Sequence, residues 1–181
     1  MAGAEQVERE VRAWLTHVVV GLNLCPFALR SMPGLRVSLH DGVDAGEVVV
    51  QVVEHSEALL QAPEETPATA LMVVPTGVED FATFLDLVAL VEMALDRTGL
   101  RGKIQLATFH PDYVFEGVSP DDASNLTNRS PWPILHLLRE CDVAWAVSHH
   151  PEVEAIPERN IARVRALGRD AIEAIWRRHS G

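Results

Sequence analysis

Residues 109–115 read Phe-His-Pro-Asp-Tyr-Val-Phe and set an imidazole and a carboxylate two positions apart, at His110 and Asp112. Histidine changes charge near neutral pH, so it is the usual carrier of general acid–base chemistry. A second polar run follows, Asn125-Leu126-Thr127-Asn128-Arg129-Ser130-Pro131-Trp132-Pro133. The Arg129 guanidinium can grip a carboxylate or phosphate through two parallel hydrogen bonds. Asn125, Thr127, Asn128 and the Tyr113 phenol add neutral polar groups. Ser130-Pro131 matches a helix start, with serine as N-cap and proline at the first helical position, and the free N–H groups there attract anions. One reading is a pocket for a small anionic molecule. The other is a capped turn with Arg129 at the surface or tied to a structural carboxylate.

A helix expected over residues 131–141 puts His136 and Arg139 on one face. His110, Asp112 and His136 also satisfy the residue list of a two-histidine, one-carboxylate metal site, which gives an alternative, metal-dependent reading. Cys25, in Gly21-Leu22-Asn23-Leu24-Cys25-Pro26-Phe27, is either a thiolate nucleophile paired with a histidine or a small buried hydrophobe. Cys141 lies between Glu140 and Asp142, whose charges disfavour a thiolate. His149-His150-Pro151 reads as a turn.

These groups must be positioned by regular elements. Val7, Val11, Trp14, Leu15, Val18 and Leu22 recur at helical spacing, and Cys25-Pro26 ends that helix. Residues 35–40 read as a short strand and residues 46–61 as a helix, preferred over a strand on length. A Pro/Glu-rich connection at 62–67 leads to a near-continuous apolar run at 68–74, the look of a buried strand. Residues 79–98 form a helix closed by Gly99, and residues 103–109 a third strand. Alternating strands and helices predict βαβ units in one mostly parallel sheet of three or four strands, with helices packed on it and extra C-terminal helices. Residues 110–130 carry no period, and so long a loop in a compact domain is usually functional. Residues 143–147 are a short helix or added strand, and 157–179 a terminal helix. The whole chain, 1–181, reads as a single α/β domain.

Composition narrows the class. Hydrophobic residues are 48% and charged residues 23%, the balance of a chain that can build a core. A net charge of −11 argues against nucleic acid as partner. The C-terminal arginines, Arg159 to Arg178, alternate with Glu158, Asp170 and Glu173, as on a solvated helix face. No window approaches a membrane span. The first residues show no apolar signal region, and two distant cysteines make no disulfide framework, so a cytoplasmic protein is expected. The residues specify no cofactor and no oligomeric state.

The segments around Gly21–Ala28, Phe109–Phe115, Asn125–Pro133 and His136-Leu-Leu-Arg139-Glu140, with Glu158-Arg159-Asn160, resemble an uncharacterised family, domain of unknown function 1415. The resemblance spans nearly the whole chain and carries no established activity. It implies that Cys25, His110, Asp112, Tyr113, Asn125, Thr127, Arg129, His136 and Arg139 occupy motif positions. Three classes of function follow. The first is an enzyme on a small anionic metabolite, with Cys25, His110, Asp112 and His136 reacting and Arg129, Ser130 and Arg139 binding. The second is a metal enzyme, and the third a non-catalytic binding or assembly protein.

Overall fold

A computed structural model describes residues 3–63 and 67–179. Part of the expected 62–67 connection lies outside the described residues. The chain opens with α1, Ala4–Trp14, which runs into a π-helical turn, Leu15–Val20. The wider turn is marked by i→i−5 bonds from Gly21 N–H to Thr16 O (3.1 Å) and from Leu24 N–H to Val19 O (2.9 Å). A Cβ at position 21 would collide with the His17 carbonyl, so glycine is required where the widened turn closes. A short helix, α2 (Ala28–Ser31), then leads to β1, Leu35–Asp41.

Next come α3 (Ala45–Leu60), β2 (Thr69–Thr76), α4 (Phe81–Arg97) and β3 (Ile104–Phe109). The helices begin where aspartates cap them. Asp44 accepts from the N–H groups of Gly46 and Glu47, and Asp80 from that of Thr83 at 2.9 Å. The valine-rich stretch of α3 is a helix, as its length implied.

The sheet is mixed. Its order is β1-β2-β4-β3, where β4 is Ile134–Arg139. β1 and β2 pair in parallel, and β4 runs antiparallel between β2 and β3. The three expected strands thus share one sheet and one direction, but the last strand separates β2 from β3. The helix expected over 131–141 is replaced by β4 and by α5, Glu140–Ser148, which starts at Arg139 and not at Ser130. The reason is burial on both faces: Ile-Leu-His-Leu-Leu has no polar face to betray a period of two. The expected terminal helix is split by Gly168, whose φ of 77° ends α6 (Ile156–Leu167) before α7 (Arg169–Arg177). No helix among the described residues is long and apolar enough to cross a membrane.

Each face of the sheet carries its own core. α3 and α4 cover one face, with Val48, Val52, Phe84 and Val91 packed on Ala70, Met72, Leu135 and Leu137. α1, the π turn, α6 and α7 cover the other, with Trp14, Val18, Val164 and Ile172 against Leu71, Val73 and Ile134.

The connection from β3 to β4, residues 110–133, is held by its own polar side chains. Asn125 is fully buried; its Oδ1 accepts from Phe115 N–H (3.0 Å) and its amide donates to Ser119 O (2.8 Å). The Asn128 amide donates to Thr108 O (3.2 Å), and the Thr127 hydroxyl to Ser124 O (2.9 Å). Replacing Asn125 by Ala leaves the Phe115 N–H without its partner and takes one of two donors from the Ser119 carbonyl, at a cost of about 1–3 kcal/mol. Urea denaturation of the variant should show the midpoint falling accordingly; an unchanged midpoint would mean that this loop does not couple to global stability.

Candidate functional site

The conspicuous polar residues do not converge on a ligand. Arg129 donates from Nε to Tyr113 O (3.2 Å) and from a terminal nitrogen to Pro120 O (2.8 Å), so two sides of its guanidinium are tied to carbonyls of its own loop. Ser130 caps no helix: its hydroxyl donates to the Trp132 carbonyl within a turn, and the helix dipole expected there is absent. Tyr113 stacks its ring near Phe81 and Phe115.

His110 is likewise engaged. It directly follows Phe109 on β3, so strand alternation sends it to the α4 face, where it packs against Phe81 and Phe84. Its Nε2 donates to Val78 O (3.2 Å) and its Nδ1 accepts the Asp112 N–H (3.0 Å). A carbonyl only accepts and an amide only donates, so the ring is the neutral Nε2–H tautomer with both nitrogens used. Burial holds its pKa below the ordinary histidine value. Asp112 is exposed. His136 projects from the opposite face of the sheet, beside Phe109. The triad His110, Asp112 and His136 is therefore not assembled, because the sheet itself stands between the histidines. Among the described residues, no group of three His, Cys, Asp or Glu side chains is placed to hold a metal.

Arg139 ends β4 and is 2% exposed. Its Nε meets Asp142 Oδ2 at 2.7 Å, and its other donors reach Asp142 Oδ1 (3.2 Å) and Ala62 O (2.9 Å). Asp142 also accepts the Ala68 N–H (3.2 Å). This pair fastens the start of α5 to the chain around β2. Arg139 does not share a helical face with His136.

What the fold does bring together is Cys25 and His136. Both line a cavity of about 610 Å³ on the α1 face of the sheet. Its walls are Trp14 from the end of α1, Leu15 and Val19 from the π turn, Phe27 and Met32 beyond it, Leu71 and Leu138 from the sheet, and Ala146 from α5. The lining is predominantly apolar. Trp14 and Leu15 belong to the apolar stripe of the first helix, and nothing in their spacing distinguishes a cavity wall from a packed interior.

Thr69 orients His136. Its hydroxyl oxygen lies 2.9 Å from Leu137 O and 2.6 Å from His136 Nε2, and with its one proton on the carbonyl the ring is the Nε2–H tautomer. The Nδ1 lone pair has no hydrogen-bond partner among the described residues and is left for the cavity. Burial pushes the His136 pKa down to about 4. Burial also raises the Cys25 thiol above its usual value, and the N–H groups of Phe27 and Ala28 offset this only in part. Both shifts oppose a thiolate–imidazolium pair, so the resting site is neutral.

The linkage has a definite sign. A histidine depressed to about 4 in the folded state takes up its proton sooner in the unfolded chain, near pH 6.5. Its stabilising contribution is complete above pH 6.5 and is lost as pH falls through about 4. The full span is on the order of 2–3 kcal/mol. Folding stability measured across this range should fall less steeply in His136→Gln than in the wild type; parallel curves would show that His136 is not held neutral.

No curated protein and no solved structure matches the chain. A family model described as "Protein of unknown function (DUF1415)" matches residues 6–174, in accord with the motifs that pointed there, and the chain belongs to that family.

Proposed function

We propose that the protein is an enzyme acting on a small organic molecule with a largely apolar body, bound in the cavity between the π turn and the sheet. His136 Nδ1 is its proton acceptor, and Cys25 is the thiol that meets the same molecule. The observation that carries this reading is the shared cavity: Cys25 and His136, distant in sequence, line one apolar chamber. Apolar walls with a few polar groups are the usual make-up of a small-molecule site. The Thr69 hydroxyl supports the reading, because it orients the imidazole and leaves one lone pair toward the bound molecule.

The neutral resting state bears on the chemistry. A thiol kept protonated by burial reacts slowly with solvent oxidants and electrophiles. It gains nucleophilicity only when a bound molecule places an electrophilic atom against it while the proton leaves. Nδ1 of His136, unprotonated throughout the physiological range, is the acceptor available in the same chamber.

Alkylation by iodoacetamide tests access to this site. In a Cys141→Ser chain, which removes the exposed second thiol, Cys25 should be modified in the folded protein. The rate should keep rising at alkaline pH beyond the point where an ordinary thiol levels off. A Cys25 that reacts only after unfolding would remove the thiol from the cavity and defeat the proposal.

A further inference from the structure

Arg30 stands on α2 at the wall of this cavity. Its guanidinium carbon lies over the Trp145 ring of α5, 3.3 Å from the centroid, close enough that the two planes must stack. No carboxylate, carbonyl or hydroxyl takes its protons among the described residues. Stacking on an aromatic face occupies the plane of the guanidinium and leaves the N–H groups at its edge free, in the fork that matches a carboxylate. Arg30 thus differs from Arg129 and Arg139, which both donate to protein oxygens.

The sequence around it is unusual for this chain. With 26 acidic residues and a net charge of −11, the protein repels anions in general. Yet residues 11–40 contain no aspartate or glutamate, while Arg12, Arg30 and Arg36 fall within them. The same segment supplies the π turn, Cys25 and Arg30 to the cavity. Among the described lining residues the one acid is Asp142, and both of its oxygens accept from Arg139. Among the described residues, no acid neutralises the charge at Arg30.

We infer that the cavity takes an organic acid, with its apolar body against Trp14, Leu15 and Leu138 and its carboxylate held by the edge of Arg30 stacked on Trp145. This rests on the reading of the cavity as the working site, and it names the class of molecule that the site takes. A dicarboxylate or sugar phosphate does not fit, because the rest of the lining offers an inner charge no partner.

The test uses protection of Cys25 from iodoacetamide in the full chain carrying Cys141→Ser. The probes are octanoate and phenylacetate, each against the alcohol of matching skeleton, octanol and phenylethanol. The acids should protect at concentrations at least tenfold lower than the alcohols. Arg30→Gln should abolish that preference while leaving protection by the alcohols unchanged; Arg30 is exposed, so the variant should fold. Protection by acids and alcohols alike in the parent chain, or a preference that survives Arg30→Gln, overturns the carboxylate assignment and leaves the cavity reading standing. Failure of all four compounds to protect a Cys25 that is reactive in the folded chain overturns both.

Discussion

The sheet depends on its last strand. β2 and β3 run side by side with a gap between them, and β4 fills that gap, so every backbone group on both its edges finds a partner only when it inserts. Two inner edges would otherwise stay unpaired in an apolar interior, a cost that a folded chain does not carry. The pairing of Thr69 with Leu138 joins residues far apart in sequence, which makes closure of the sheet a late and non-local event. Residues 110–133 deliver β4 into place, and that task explains their composition. An irregular segment against a core needs local acceptors and donors, and Asn125, Thr127, Asn128 and Arg129 supply them.

The polar motif and the cavity therefore answer different needs. The motif is a joint, saturated by its own carbonyls. The cavity lies on the far side of β3 and β4 from His110, and it holds the thiol and His136, whose Nδ1 has no hydrogen-bond partner among the described residues. Electrostatics follow the same division. Burial lowers the pKa of both histidines; His110 also has both nitrogens committed to backbone, whereas His136 borders the cavity.

Much of the framework was legible in the residues. Apolar spacing and length marked α3 and α4, and the run at 68–74 marked β2. β4 was misread because a strand buried on both faces loses its alternation, and because Ser-Pro opens turns as well as helices. The candidate site was legible in part. Cys25 and His136 were singled out, but their meeting depends on which face each strand residue takes, and a shift of one residue in β4 would have separated them. Arg129 misled because a sequence shows donors and hides the backbone carbonyls that consume them. Arg30 was overlooked, although the absence of acids from residues 11–40 was on view.

The π turn has a consequence for how this chain tolerates change in length. Such a turn holds one residue more than an α-helical turn, and α1 continues into it without a break in direction. Losing any single residue between Leu15 and Val20 would let the segment relax to ordinary α-helix at little local cost in hydrogen bonds. All that follows would then be rotated by about 100° about the helix axis. Leu24 would leave the core, and the carbonyls of Leu22 and Leu24 would leave Arg163 and Asn160, which now fasten this exit to α6. An insertion or deletion here is thus a change of aim, whereas one in the exposed turn around Gly117 is only a change of length.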